Sequence, residues 1–233
     1  MKLLFYRYGS ICEPDIIAGF QELGLEVSEL TEEISNKSVS PQECIHLISN
    51  FLLEHPMDFV FTVNFYPSIS EVCNIFHIPY LCWIVDSPVM ELYTASVQNP
   101  WNRIFLFDRC IYQEISPLNP GCVFYLPLAT NVTQKDSLIL SKSQRQLDAF
   151  RADVSFIGSL YTEKCAYDRL SKDVSPYLTG YLNGLMEAQL KVYGYYFVEE
   201  ILPDSIVDEF VDHFQYFYSL PGKNFLTNRT TLA

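Results

Sequence analysis

From residue 2 to about residue 128, short apolar runs alternate with amphipathic stretches. "KLLFY" (2–6) reads as a strand. Residues 14–23 then set Ile16, Ile17, Phe20 and Leu23 on one helical face, and Gly24 follows as a stop. "LEVSEL" (25–30) is a second strand. "SPQE" (40–43) predicts a helix start, with Ser40 as N-cap, Pro41 at the first helical position and Glu43 closing a capping box. "MDFVFTVN" (57–64) is a third strand, and "SISE" (68–71) predicts a second capping box. "IPYLCWIVD" (78–86) is a fourth strand, apolar on both faces, as a helix-covered parallel sheet requires. "RIFLF" (103–107) and "CVFYLPL" (122–128) are strands five and six, with Asp108 as N-cap of the helix between them. This alternation predicts right-handed βαβ units in an α/β, doubly wound, mostly parallel Rossmann-like sheet.

The pattern then changes. Residues 131–152 are polar and read as a connector. "DVSFIGSLY" (153–161) is one more apolar strand ending in a glycine turn. Two helices follow. Leu178, Tyr181, Leu182, Leu185 and Val192 share a face of the first. Ile206, Val207, Phe210, Val211, Phe214 and Phe217 share a face of the second, which starts at Pro203 and Asp204. The expected layout is a Rossmann-like domain over 1–130, the connector, and a strand plus helical segment over 153–233.

Charge narrows the partners. Asp and Glu outnumber Lys and Arg 28 to 15, a net charge of −13. Nucleic acid and anionic membrane surfaces are therefore excluded as main partners. No run of about 18 apolar residues predicts a membrane span. Seven cysteines without a C-x-x-C pair, several inside apolar runs, read as free thiols in a cytoplasmic protein.

Ligands of open α/β sheets bind beyond the carboxyl ends of the strands. There this chain sets Tyr8, Gly9 and Ser10 after strand one, and Asn64, Phe65 and Tyr66 after strand three. Asp86 and Ser87 follow strand four, Asp108 strand five, and Thr130 and Asn131 strand six. A polar, aromatic-lined rim on an apolar floor suits a small polar ligand such as a sugar. The dinucleotide fingerprint, the P-loop and the G-x-S-x-G elbow are absent, and the four histidines lie at no metal-ligand spacing.

In "DSP" (86–88), Ser87 is the expected N-cap and Pro88 the first helical residue. Asp86 then either braces the loop or serves a ligand hydroxyl as acceptor or base. Gly9 either permits a turn or lets backbone approach a ligand. The same choice holds for Gly158 and Ser159, where free amides at a helix start could hold phosphate. Tyr177, Tyr181, Tyr193, Tyr195 and Tyr196 fit a core or an oligomer interface across 174–219 better than a sugar platform.

"KLLFYRYGS", "YLCWIVDSP", "VSFIGSLYTEK" and "GYLNGLMEAQLKVYGY" occur in an order that resembles the CgeB-like bacterial glycosyltransferases. The likeness spans nearly the whole chain. Its most specific parts are Trp83, Asp86, Ser87 and Pro88, and Val154 to Ser159. It implies a GT-B glycosyltransferase, with an acceptor-side N-terminal domain, a C-terminal domain holding a nucleotide-sugar co-substrate, and no metal or other cofactor. It makes Asp86 the general base. A donor domain needs roughly 150 further residues, so the 153–233 segment is expected to hold at most its beginning, and the chain is not expected to transfer sugar alone.

Overall fold

The computed structural model describes residues 1–158 and 174–213. They fall into two units, Met1–Gln144 and Arg145–Ala233.

The first unit is built on six parallel strands: β1 (Lys2–Tyr6), β2 (Glu26–Leu30), β3 (Phe59–Val63), β4 (Tyr80–Ile84), β5 (Asn102–Leu106) and β6 (Val123–Tyr125). Their order is β2-β1-β3-β4-β5-β6. The register aligns Phe5 with Glu29 and Phe61, Thr62 with Cys82, and Cys82 with Ile104. The connecting helices are α1 (Glu13–Glu22), α2 (Glu32–Ser35), α3 (Pro41–Glu54), α4 (Pro67–Phe76) and α5 (Arg109–Ile115), with α6 (Val132–Leu140) after β6. The expected α/β, Rossmann-like parallel sheet is therefore present.

Strand alternation builds a core on each face. Leu4, Tyr6, Val60, Tyr80, Cys82 and Ile104 meet Ile48 of α3 and Ile69 of α4. Leu3, Phe5, Phe59 and Phe61 meet Ile17 of α1 on the other, where Phe20 stacks edge-on against Phe61 at 5.0 Å. This second layer is thinner. β4 is buried on one face only, and Leu81 and Trp83 are half-covered.

Caps follow the sequence where they are local. Ser40 accepts from the Glu43 amide while the Glu43 carboxylate accepts from the Ser40 amide, which holds the Glu43 carboxyl below its ordinary pKa. Asp108 caps α5 through the Cys110 and Ile111 amides. α1 ends as expected, with Gly24 at φ 79°.

Two starts differ from expectation. α4 begins at Pro67, with Tyr66 as N-cap, so Ser68 lies inside the helix rather than capping it. Proline's preset φ starts the helix one residue before the serine. After β4, Ser87 caps nothing. The Ser87–Pro88 peptide is cis, and a short 3-10 turn begins only at Met90. The Ser87 hydroxyl donates instead to Asp108 Oδ2 at 3.1 Å.

After the short α7 (Gln144–Asp148), the second unit holds α8 (Pro176–Gln189), α9 (Val198–Ile201) and α10 (Asp204–His213). Leu178, Leu182 and Leu185 pack with Val198, Leu202, Ile206 and Val207. Ser175 caps α8 and donates to Glu209. Val192 falls beyond the end of α8. The strand expected at 153–157 is not formed. Val154 and Phe156 are exposed and Ile157 is 97% exposed, with no neighbouring strand to pair among the described residues. The side chains of Phe210 and Val211, and residues Phe214 and Phe217 altogether, lie outside the described part.

Candidate functional site

The strand order reverses between β1 and β3, and such a switch point opens a crevice at the carboxyl edge. Asn64 sits there with φ 60°, in the left-handed region that asparagine enters more readily than most residues. Its side chain is a hub. Nδ2 donates to Asp86 Oδ2 at 2.6 Å and to the Tyr8 hydroxyl at 3.1 Å. Oδ1 accepts from the Val85 and Asp86 amides at 3.0 and 3.4 Å. One side chain thereby ties together the ends of β1, β3 and β4.

A buried relay holds that turn. The Tyr66 amide donates to the Tyr80 hydroxyl at 2.9 Å. Thr62 Oγ1 donates to the Asn64 carbonyl at 2.6 Å and lies 2.7 Å from the Tyr80 hydroxyl. The single Thr62 proton is committed to the carbonyl, so Tyr80 donates to Thr62. Burial pushes the Tyr80 hydroxyl pKa well up, which keeps its proton in place for this role.

Of the sequence-predicted residues, Tyr8, Asn64 and Asp86 form one hydrogen-bonded set. Tyr66 borders it, its ring 6.4 Å from that of Tyr8 and its hydroxyl donating to Glu33 Oε1 at 3.2 Å. Burial, then the charge of Glu33, raises the Tyr66 pKa. Tyr8 is likewise raised, first by burial. Both phenols are neutral donors near pH 7. Asp86 is exposed, and among the described residues its Oδ1 has no partner.

The other candidates are differently placed. Asp108 spends Oδ1 on the α5 cap and Oδ2 on Ser87. The Gly9 amide, at φ 92°, faces inward to a carboxylate, and the Ser10 hydroxyl contacts Cys12 Sγ at 3.1 Å. Thr130 is exposed beside Asn131, which caps α6 and donates to Asp15. Gly158 belongs to the second unit, where an added Cβ would come within 2.8 Å of the Phe156 ring. Ser159 lies outside the described residues.

Sequence reasoning missed four residues: Glu13, Glu33, Thr62 and Tyr80. Glu33 reads as an ordinary acid in a short helix, and Thr62 and Tyr80 as strand formers. Glu13 reads as an acid favoured in a first helical turn. Its carboxylate is nevertheless fully buried. It accepts from the amides of Tyr8 (3.0 Å) and Gly9 (3.1 Å) and from Arg7 Nε (3.0 Å).

Six of the seven cysteines are free thiols, and Cys165 lies outside the described residues. No helix among the described residues is long and apolar enough to cross a membrane. No protein-family model and no curated protein matches this chain.

Proposed function

We propose that this chain contains the acceptor-side α/β domain of a GT-B glycosyltransferase, and that the crevice between β1 and β3 holds a saccharide acceptor. The observation that carries the reading is the Asp86 carboxylate at the carboxyl edge of the sheet. Asn64 grips one oxygen and leaves the other toward solvent. A carboxylate held in this way accepts a hydrogen bond from a sugar hydroxyl in a defined direction. The Tyr8 and Ser87 hydroxyls are further polar contacts beside it. In transfer, Asp86 takes the acceptor proton as the hydroxyl oxygen bonds to the donor's anomeric carbon, and a nucleoside diphosphate departs. The donor itself, a nucleotide-sugar, is held outside this crevice.

A second reading is a non-catalytic saccharide- or protein-binding module in a cytoplasmic setting. It is favoured by one observation: the described residues hold a single sheet, while GT-B transfer also needs a donor-binding domain. A saccharide titration of wild type and Asp86→Asn, followed by amide NMR and calorimetry, tests the first claim. Saccharide is expected to move the Asn64 and Asp86 amides. Asp86→Asn is expected to weaken binding roughly 10- to 100-fold, the worth of one charge-assisted hydrogen bond, at unchanged melting temperature. Undiminished affinity in the variant refutes the role of Asp86. A mass-spectrometric nucleotide-sugar screen separates binding from transfer. This chain alone is expected to give no product.

A further inference from the structure

In doubly wound sheets the turn after β1 and the start of the next helix present free amides that cradle a phosphate. Here two of those amides, of Tyr8 and Gly9, are already taken. Glu13 stands at the first position of α1 and turns its carboxylate back under the 7–10 turn. Oε1 accepts from the Tyr8 and Gly9 amides, and Oε2 accepts from Gly9 at 3.2 Å and from Arg7 Nε at 3.0 Å. Arg7 also pairs with Glu29 of β2 at 2.5 Å, so the guanidinium nearest the turn is held by two carboxylates. Glu13 is fully buried and multiply bonded, which is the condition for a charge to persist in a protein interior.

We propose that Glu13 is a built-in anion standing where a ligand's phosphate would lie, and that it restricts the crevice to ligands presenting hydroxyl or ammonium groups rather than phosphate. A phosphate entering this turn must displace a buried carboxylate from its donors. The neighbouring rim carries Glu33 and Asp86, and the Lys37 ammonium at the turn is already bonded to the Tyr8 carbonyl. The substrate class is an uncharged or amino-bearing polyol. This deepens the saccharide reading of the same crevice and rests on it for the ligand, though the exclusion of phosphate is separately measurable.

The test uses the full chain and inorganic phosphate. In wild type, the Tyr8 and Gly9 amide resonances are expected to stay fixed across a phosphate titration, with no change in melting temperature. In Glu13→Ala the two amides are released and Arg7 keeps only Glu29. Phosphate is then expected to shift both resonances and to raise the melting temperature by roughly 4 °C at ten times its Kd. Movement of the wild-type amides by phosphate overturns the proposal, as does a folded Glu13→Ala that ignores it. If that variant does not fold, the wild-type titration decides. Failure of saccharide binding with phosphate excluded as expected sinks the saccharide reading alone. Phosphate binding to wild type sinks only the role of Glu13.

Discussion

Asn64 does what few side chains can. It tolerates a left-handed backbone, and its amide offers both a donor and an acceptor to neighbouring strand ends. Its carbonyl is in turn held by Thr62, and Thr62 by Tyr80. Tyr80→Phe therefore removes more than one hydroxyl. It strands the part-buried Tyr66 amide and leaves Thr62 without its donor. We expect a loss of about 1–3 kcal/mol, the usual cost of an orphaned buried polar group, read as a lower urea midpoint at unchanged slope. Saccharide affinity should fall in the same variant, because the turn that presents Asp86 loosens. A midpoint equal to wild type would show that the relay does not brace the turn.

At the scale of the element, α5 depends on one residue. Asp108 is its N-cap and also the acceptor for Ser87, linking the helix start to the loop after β4. Asp108→Ala should cost about 1–2 kcal/mol in thermal or urea unfolding, while Asp108→Asn, which keeps an acceptor, should cost less than half of that. Most elements whose signals are local were legible, the capping box read at 68–71 excepted. Ser40 with Glu43, and Asp108, cap where the sequence sets them, and the six apolar runs became the six strands. Elements that depend on distant partners were not. "VSFI" carries strand-forming side chains, but a strand exists only beside another strand, and none adjoins it among the described residues. Ser87 looked like a cap, yet Asp108 arrives from 21 residues away to claim its hydroxyl. At the site, the rim positions of Tyr8, Asn64 and Asp86 followed from sheet topology alone. The Asn64 hub did not, since it joins three strand ends far apart in sequence. Nor did Glu13, whose charge gives no hint that it folds inward.

The whole molecule carries a pH signature. Its main core is rich in protonated thiols and phenols. Burial, with a smaller contribution from Cys44, pushes Cys73 from the ordinary 9.0 up to about 12. Cys44 and Cys82 are also raised, in each case chiefly by burial. Tyr6 moves the same way, again mainly through burial. Above the unfolded-state pKa the unfolded chain gives up these protons while the folded chain keeps them. The folded state then binds more protons, so stability falls as pH rises. For Cys73 the contribution is intact below pH 9 and is lost progressively toward pH 12. The slope is at most roughly 1.4 kcal/mol per pH unit for each such group. Urea midpoints measured from pH 7 upward should be flat to about pH 8.5 and then decline. A midpoint constant to pH 10.5 would contradict the burial of these groups.

The Tyr66 amide closes onto the fully buried Tyr80 hydroxyl, although it lies in the turn that borders the crevice. Solvent deuterium is expected to reach that amide only when the sheet interior opens. A loop position beside the carboxyl edge is therefore expected to exchange on the clock of global unfolding, not of loop motion. Bound ligand slows it only by as much as it stabilises the entire fold, so one backbone proton at the crevice reports the free energy of the whole domain.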